Sequence, residues 1–166
     1  MTVVWKSPAT PIRTEIPTAL RPLLLERGSL TRRLRRVLGN PIEVRVDRQG
    51  WAAPEPDEAH LLGLAAGASA LVREVTLLCR GRQQVAARTV IPRATLRGRH
   101  RRLARLGDRP LGDVLFATPG MSRGAMHIAR LRAAAPVPAT WGRRSVFFLD
   151  DRPLLVYEFF LRDAWP

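Results

Sequence analysis

Residues 71–79, LVREVTLLC, are so rich in apolar and β-branched side chains that they predict a strand covered on both faces. With the two-residue period of a strand, Leu71, Arg73 and Val75 share one face. An arginine keeps its charge at any physiological pH, so burying it without a partner costs several kcal/mol. Arg73 therefore contacts either a carboxylate of the protein or the anion of a ligand.

A second anomaly of this kind lies in the last predicted strand, residues 154–161, which is also apolar on both faces. Its charged member is Glu158, and a buried carboxylate is costly unless it is paired or protonated. Arg73 and Glu158 thus either form a structural ion pair or lie on two sides of a polar substrate. Spacing alone slightly favours the ion pair, because nothing in the sequence shows that the two faces coincide.

Hydrophobic periodicity and turn residues divide the rest of the chain into strands and short helices. Ser29 is a predicted N-cap of a helix that ends at Gly39. Within that helix Leu30, Leu34 and Val37 are expected to face inward. Further short helices are predicted at residues 18–26, 95–106 and 110–116. Strands are predicted at residues 41–47, 71–79, 84–91, 144–149 and 154–161. Residues 122–131 fit either a helix or a strand, and the alternation of Met126 and Ile128 favours a strand.

Most of these strands follow one another as hairpins, which predicts an α+β fold with a single antiparallel sheet. We expect one domain spanning residues 1–166. Its first 17 residues contain three prolines and predict a mobile or draped arm. Residues 49–58 are expected to form turns, and residues 136–140 a connection interrupted by proline.

The formal net charge is +14, which would suit a nucleic acid or an acidic membrane as partner. All but Lys6 of the 28 basic residues are arginine, a bias better explained by the base composition of the coding genome. The arginines are scattered, with runs only at residues 32–36 and 97–105. We therefore expect no nucleic-acid partner, and interpret the charge as an attraction for small anions.

Several classes of site are disfavoured by the sequence. Cys79 is the single cysteine, which excludes an internal disulfide and a multi-thiolate zinc site. The three histidines have no further ligand at metal-binding spacing, and no phosphate-binding glycine loop is present, so we expect neither metal nor cofactor. No signal peptide or membrane span is visible, so a cytoplasmic protein is expected.

Residues 141–145, WGRRS, resemble a motif of the chorismate pyruvate-lyase family. Further blocks agree with that family in the same order, and the resemblance runs from about residue 16 to residue 161. No block is decisive alone, but the ordered set is specific. The blocks are GSLT at 28–31, LVREV at 71–75, ARTVIP at 87–92, LGDRPLG at 106–112 before LF at 115–116, and PLL at 153–155 before Glu158.

The resemblance implies a six-stranded antiparallel sheet with a ligand buried beneath helical flaps. It also implies a lyase without metal or cofactor, which converts chorismate to 4-hydroxybenzoate and pyruvate at the start of ubiquinone-type biosynthesis. Chorismate and 4-hydroxybenzoate are then the expected partners of a monomer, with neither nucleic acid nor stable membrane insertion.

The same resemblance implies roles for individual residues. Arg73 aligns with the arginine that binds the ring carboxylate, and Glu158 with the glutamate that meets the ring hydroxyl. Glu158 either removes a proton as a base or only orients the hydroxyl. Leu30 and Leu111 align with positions that contact the ligand through their backbone. Leu30 departs mildly from the family, where methionine is frequent.

Chorismate carries a second carboxylate on its enolpyruvyl side chain, which needs a second cationic donor. Arg88 or Arg144 is expected to supply it, and the sequence does not choose between them. The segments expected to open for the ligand are the first flap, residues 18–38, and the second flap, residues 110–116. Slow product release is expected from so enclosed a site.

Other functions remain open at this point. Effector domains of some bacterial transcription regulators resemble the same fold, so a non-catalytic small-molecule sensor is one alternative. Such sensors normally follow a DNA-binding domain, for which we see no room before residue 18, and the presence of both Arg73 and Glu158 also favours an enzyme. A lyase that makes a different hydroxybenzoate and an arginine-rich nucleic-acid binder are further alternatives.

Overall fold

The fold is a six-stranded antiparallel sheet with short helices on both faces. A computed structural model describes residues 3–8, 12–131 and 138–165. The strand order is β1-β2-β3-β6-β5-β4, and every neighbouring pair is antiparallel, which confirms the predicted α+β class. The strands are β1 (Glu43–Ala52), β2 (Ala70–Cys79), β3 (Arg82–Pro92), β4 (Met121–Arg130), β5 (Ala139–Leu149) and β6 (Arg152–Leu161).

The helices are all short. A 3₁₀ helix, Gly98–Arg105, takes the place of the surface helix predicted at residues 95–106. Among the described residues, no helix is long and apolar enough to cross a membrane. The α-helices are α1 (Ile12–Glu15), α2 (Arg21–Leu24), α3 (Leu30–Leu38), α4 (Pro56–Leu62) and α5 (Leu111–Leu115).

The prediction of turns at residues 49–58 is wrong. Residues 49–52 continue β1, because they pair with the first half of β2. Residues 56–62 form α4, where the carboxylate of Glu58 accepts a hydrogen bond from the backbone N–H of Glu55 at 2.9 Å. This cap gives the helix a defined start that the loop-like composition concealed.

Helix α3 has the predicted boundaries. The Ser29 hydroxyl accepts a hydrogen bond from the backbone N–H of Arg32 at 3.3 Å, and Gly39 ends the helix with φ of +63°. Leu30 and Leu34 are buried, whereas Val37 is 45% exposed. The expectation that Val37 faces inward is therefore wrong, since the apolar stripe of the helix is narrower than its periodicity suggests.

Both faces of the sheet are covered, which is why β2 and β6 are apolar on both sides. On the front face, helices α1 to α3 pack over one end of the strands, and the 3₁₀ helix and α5 pack over the other end. Helix α4 covers the back face together with Trp5, whose ring lies 5.6 Å from that of Tyr157. The space left between the two front-face clusters forms the pocket described below.

The predicted N-terminal arm is described for residues 3–8 and from residue 12 onward. The backbone of Lys6 exchanges two hydrogen bonds of 2.8 Å with Ile128 of β4. Ile12 and Ile16 are buried in the core. Of the predicted connection at residues 136–140, residues 136 and 137 lie outside the described part, and Ala139 and Thr140 already belong to β5.

Candidate active site

The strand register shows that Arg73 and Glu158 lie on the same face of the sheet. Arg73 of β2 is paired with Thr89 of β3, and Thr89 with Val156 of β6. Directly paired residues point to the same face, and Glu158 lies two residues beyond Val156. The sequence left open whether the strand faces that carry Arg73 and Glu158 coincide. The register shows that they do.

Both side chains line a pocket between the sheet and the two flaps. The start of α3 contributes Leu30 and Thr31, and the second flap contributes Leu111 and Phe116. Four of the residues predicted for the site, Arg73, Glu158, Leu30 and Leu111, are thus brought together. The polar side chains of the lining are Thr31, Arg73, Thr89, Arg123, Arg143 and Glu158.

Arg73 is 3% exposed and contacts only neutral acceptors. It donates to Oε1 of Gln49 at 2.9 Å and to the carbonyl oxygen of Gly107 at 2.7 Å. Burial lowers the pKa of Arg73, and Asp108, an exposed residue, opposes this shift only at longer range. No ion pair within the described residues includes Arg73. Its remaining N–H groups are available to an anion.

Glu158 is paired with Arg143, not with Arg73. Nε of Arg143 donates to the Glu158 carboxylate at 2.5 Å. Arg143 is 1% exposed and also donates to the carbonyl oxygens of Leu23 and Glu26 in the first flap, at 2.9 and 2.8 Å. The ion pair therefore holds the Glu158 carboxylate in place and ties the sheet to the flap above it.

The site also includes Arg123 of β4, which sequence reasoning missed together with Arg143. In the sequence, Arg143 and Arg144 are equivalent members of the WGRRS motif, and only the register with β6 tells which one faces Glu158. Arg123 lies in a strand of weak periodicity, so nothing local distinguished it from a surface arginine.

Arg88 and Arg144, predicted as alternative donors for a second carboxylate, lie on the back face. Each is one residue out of phase with the pocket face of its strand. Arg88 donates to both carboxylate oxygens of Glu58, at 2.7 and 3.0 Å, and to Glu74 at 2.6 Å. Arg144 donates to Asp57 at 3.1 Å. The structure corrects this prediction, since neither arginine lines the pocket.

The pocket is electrostatically positive. Its ionisable lining residues are three arginines and one glutamate, which leaves a net charge of +2. Arg73 is buried and Arg123 is half-buried, and no direct ion pair within the described residues includes either. Such cations are costly in a mostly apolar pocket, and a ligand with two negative groups would reduce that cost. Within the described residues, no group of three His, Cys, Asp or Glu could hold a metal ion.

Comparison with known proteins identifies the family. The sequence profile of the family described as "Chorismate lyase" matches residues 1–165. This chain belongs to the chorismate lyase family.

Curated relatives agree with this assignment. A "Probable chorismate pyruvate-lyase" of Methylococcus capsulatus is 51% identical over 151 residues, which cover 83% of this chain and 91% of that protein. A protein of the same description from Thiobacillus denitrificans is 48% identical over 159 residues, which cover 89% of this chain and 84% of that protein.

Solved structures of PhnF share the fold. PhnF from Mycobacterium smegmatis matches with a TM-score of 0.59 at 18% identity, covering 86% of this chain and 67% of PhnF. The effector domain of PhnF matches with a TM-score of 0.54 at 18% identity, covering 84% of this chain and 91% of that chain. At such identities the likeness concerns the fold alone.

The two neighbouring arginines of the WGRRS motif should differ sharply in their effect on stability. We expect Arg143→Ala to lower the free energy of unfolding by about 3–5 kcal/mol, because it leaves Glu158 without its buried partner. Arg144→Ala should cost about 1 kcal/mol or less, because its partner Asp57 is exposed. Urea denaturation of both variants measures the difference, and equal losses would contradict the role given to the Arg143–Glu158 pair.

Proposed function

We propose that this protein converts chorismate to 4-hydroxybenzoate and pyruvate in the pocket beneath the two flaps, and thereby supplies the aromatic ring for ubiquinone-type biosynthesis. In this proposal Arg73 binds the ring carboxylate and Glu158 binds the ring hydroxyl. The backbone of Leu30 and of Leu111 completes the contacts to the ligand. The observation that carries the proposal is the presence of Arg73 and Glu158 on one face of the sheet, with no acidic side chain of the described residues in direct contact with Arg73.

The separation of the two residues suits the substrate. Arg73 and Glu158 lie on strands separated only by β3, so their backbones are about 10 Å apart across the sheet. Both side chains line the same pocket. The ring carboxylate and the ring hydroxyl of chorismate lie at opposite ends of the ring, so one substrate molecule can contact both groups at once.

The reaction itself needs little from the protein. The C–O bond to the enolpyruvyl group breaks, and the carbon that bears the hydroxyl loses its hydrogen as a proton. The ring thus becomes aromatic, and the released enolpyruvate takes up one proton to become pyruvate. Glu158 contacts the hydroxyl beside that C–H bond, so its carboxylate either accepts the proton or orients the ring while the proton passes within the substrate.

The two flaps meet directly over the pocket. Asp113 of the second flap accepts hydrogen bonds from Arg35 at 3.1 Å and from the Ser29 hydroxyl at 3.4 Å, and its carboxylate lies 3.5 Å from Nε of Arg32. A Cβ atom on Gly112 would come within 3.0 Å of the Ser29 hydroxyl, so the contact is close. Flaps held in this way exclude water during the reaction and delay the departure of the aromatic product.

The purified protein should release 4-hydroxybenzoate and pyruvate in equal amounts when it is incubated with chorismate. Chromatography of the aromatic product and a coupled pyruvate assay measure both. A folded sample that forms neither product at high protein concentration would refute the proposal and favour a small-molecule sensor. Formation of 3-hydroxybenzoate would retain the lyase class but change the position of the hydroxyl.

Arg73 and Glu158 should affect different kinetic constants. Arg73→Ala should raise KM by about 10- to 100-fold, because it removes charge-assisted hydrogen bonds to the ring carboxylate. Glu158→Gln should mainly lower kcat, by about 100-fold or more if the carboxylate is the base, and by much less if it only orients the hydroxyl. Steady-state kinetics separate the two effects, with thermal melting as the control for folding. Full activity in both variants would contradict the assignment.

Asp113→Asn should accelerate product release by about 2- to 10-fold, since partly exposed ion pairs contribute only modestly to flap closure. Stopped-flow displacement of bound 4-hydroxybenzoate measures this rate. Glu15→Gln removes the same charge at an exposed ion pair on α1 and should leave the rate unchanged. An unchanged rate in the Asp113 variant would show that the flaps are held closed by other contacts.

A further inference from the structure

We propose that Arg123 binds the second carboxylate of the substrate, which belongs to the enolpyruvyl side chain. This inference rests on the proposed function, because it takes the positions of the ring carboxylate at Arg73 and of the hydroxyl at Glu158 as given. The inference assigns a binding residue to the enolpyruvyl side chain. This side chain is the part of the substrate that becomes pyruvate.

The structure of chorismate restricts where its second carboxylate can lie. The enolpyruvyl ether and the hydroxyl are on neighbouring ring carbons, whereas the ring carboxylate is on the opposite side of the ring. When the hydroxyl contacts Glu158, the side chain must therefore lie near Glu158 and away from Arg73. The donor for its carboxylate has to be a cation at the Glu158 end of the pocket.

Two arginines of the pocket lining lie at that end, Arg123 and Arg143. Arg143 is already engaged, since its Nε donates to Glu158 and its Nη1 donates to backbone carbonyls of the first flap. Arg123 makes no direct contact with a carboxylate in the part of the chain that the structure describes. It lies close enough to Glu158 and Arg143 to interact with both charges, which locates it beside the expected position of the side chain.

The hydrogen bonds of Arg123 leave one part of its guanidinium available. Nε donates to the Ser145 hydroxyl at 3.0 Å, and Nη1 donates to the carbonyl oxygens of Glu26 and Arg27 at 3.2 and 3.0 Å. The contact of Nη2 is the Met126 sulfur at 3.5 Å, which is a weak acceptor. A carboxylate oxygen is a much stronger acceptor for these two N–H groups.

The surroundings of Arg123 hold its side chain in position, and no direct ion pair within the described residues includes it. Its guanidinium lies over the Phe147 ring, 5.0 Å from the centroid. Burial and the neighbouring charge of Arg143 lower the pKa of Arg123 to about 10, although Glu158 and Glu26 oppose the shift, so Arg123 remains cationic at neutral pH. An arriving carboxylate would relieve this unfavourable environment. Because Nη1 holds the turn of the first flap, side-chain binding and flap closure use the same residue.

Two monoanionic probes separate this role from that of Arg73. 4-Hydroxybenzoate carries only the groups assigned to Arg73 and Glu158, and pyruvate carries only the carboxylate assigned to Arg123. We expect Arg123→Gln to raise KM for chorismate by about 10- to 100-fold and to weaken inhibition by pyruvate similarly. The affinity of the Arg123→Gln variant for 4-hydroxybenzoate, measured by calorimetry, should change less than about threefold.

Arg73→Gln is the matched control, because it removes the same charge at the other end of the pocket. It should weaken the binding of 4-hydroxybenzoate and leave inhibition by pyruvate unchanged. Arg123→Lys keeps the cation and should restore part of the pyruvate inhibition. Thermal melting of each variant verifies that it is folded.

The outcomes distinguish this inference from the proposed function. If the wild-type protein turns over chorismate but Arg123→Gln keeps the wild-type KM, the inference alone is overturned. The inference is also overturned if Arg123→Gln weakens the binding of 4-hydroxybenzoate as much as the binding of chorismate. Arg123 would then only support the first flap. A wild-type protein that does not consume chorismate overturns the proposed function and this inference with it.

Discussion

The ion pair between Arg143 and Glu158 is the interaction on which the pocket depends. Both groups lie on the inner face of the sheet, where an unpaired charge would be expensive. Arg143 offsets this cost by pairing with Glu158, and it also donates to backbone carbonyls of the first flap. One guanidinium therefore orients the carboxylate of Glu158 in the pocket and anchors the flap that covers the pocket.

The other two arginines of the pocket, unlike Arg143, are not paired with a carboxylate within the described residues. Arg73 and Arg123 are held by neutral acceptors, so that their positions are defined while their charges are not neutralised. The free protein bears the cost of one buried and one half-buried cation, and a dianionic ligand would reduce that cost on binding. On the back face the pattern is reversed, because Arg88 and Arg144 are neutralised by Glu58, Glu74 and Asp57. The same residue type thus supports structure on one face and is available to a ligand on the other.

Local sequence signals predicted the fold class and much of the element order. The clearest were the N-cap at Ser29, the apolar runs of β2 and β6, and the turn residues between hairpin strands. The signals failed where a segment depends on distant partners. Residues 49–52 have the composition of a turn but form a strand because β2 extends beside them. Val37 fits the helical period of α3 yet is exposed to solvent.

By itself, the sequence determined that Arg73 and Glu158 are charged residues in strands that are buried on both faces. A run of apolar side chains shows such burial locally, without knowledge of the fold. Its ordered motifs also determined the family. Only the tertiary structure decided which charges meet. The strand order sets β5 directly beside β6 and β2 two strands away, so Glu158 is paired with Arg143, and Arg73 forms no ion pair within the described residues. Register between strands is a long-range property, and a shift of one residue would exchange Arg143 for Arg144.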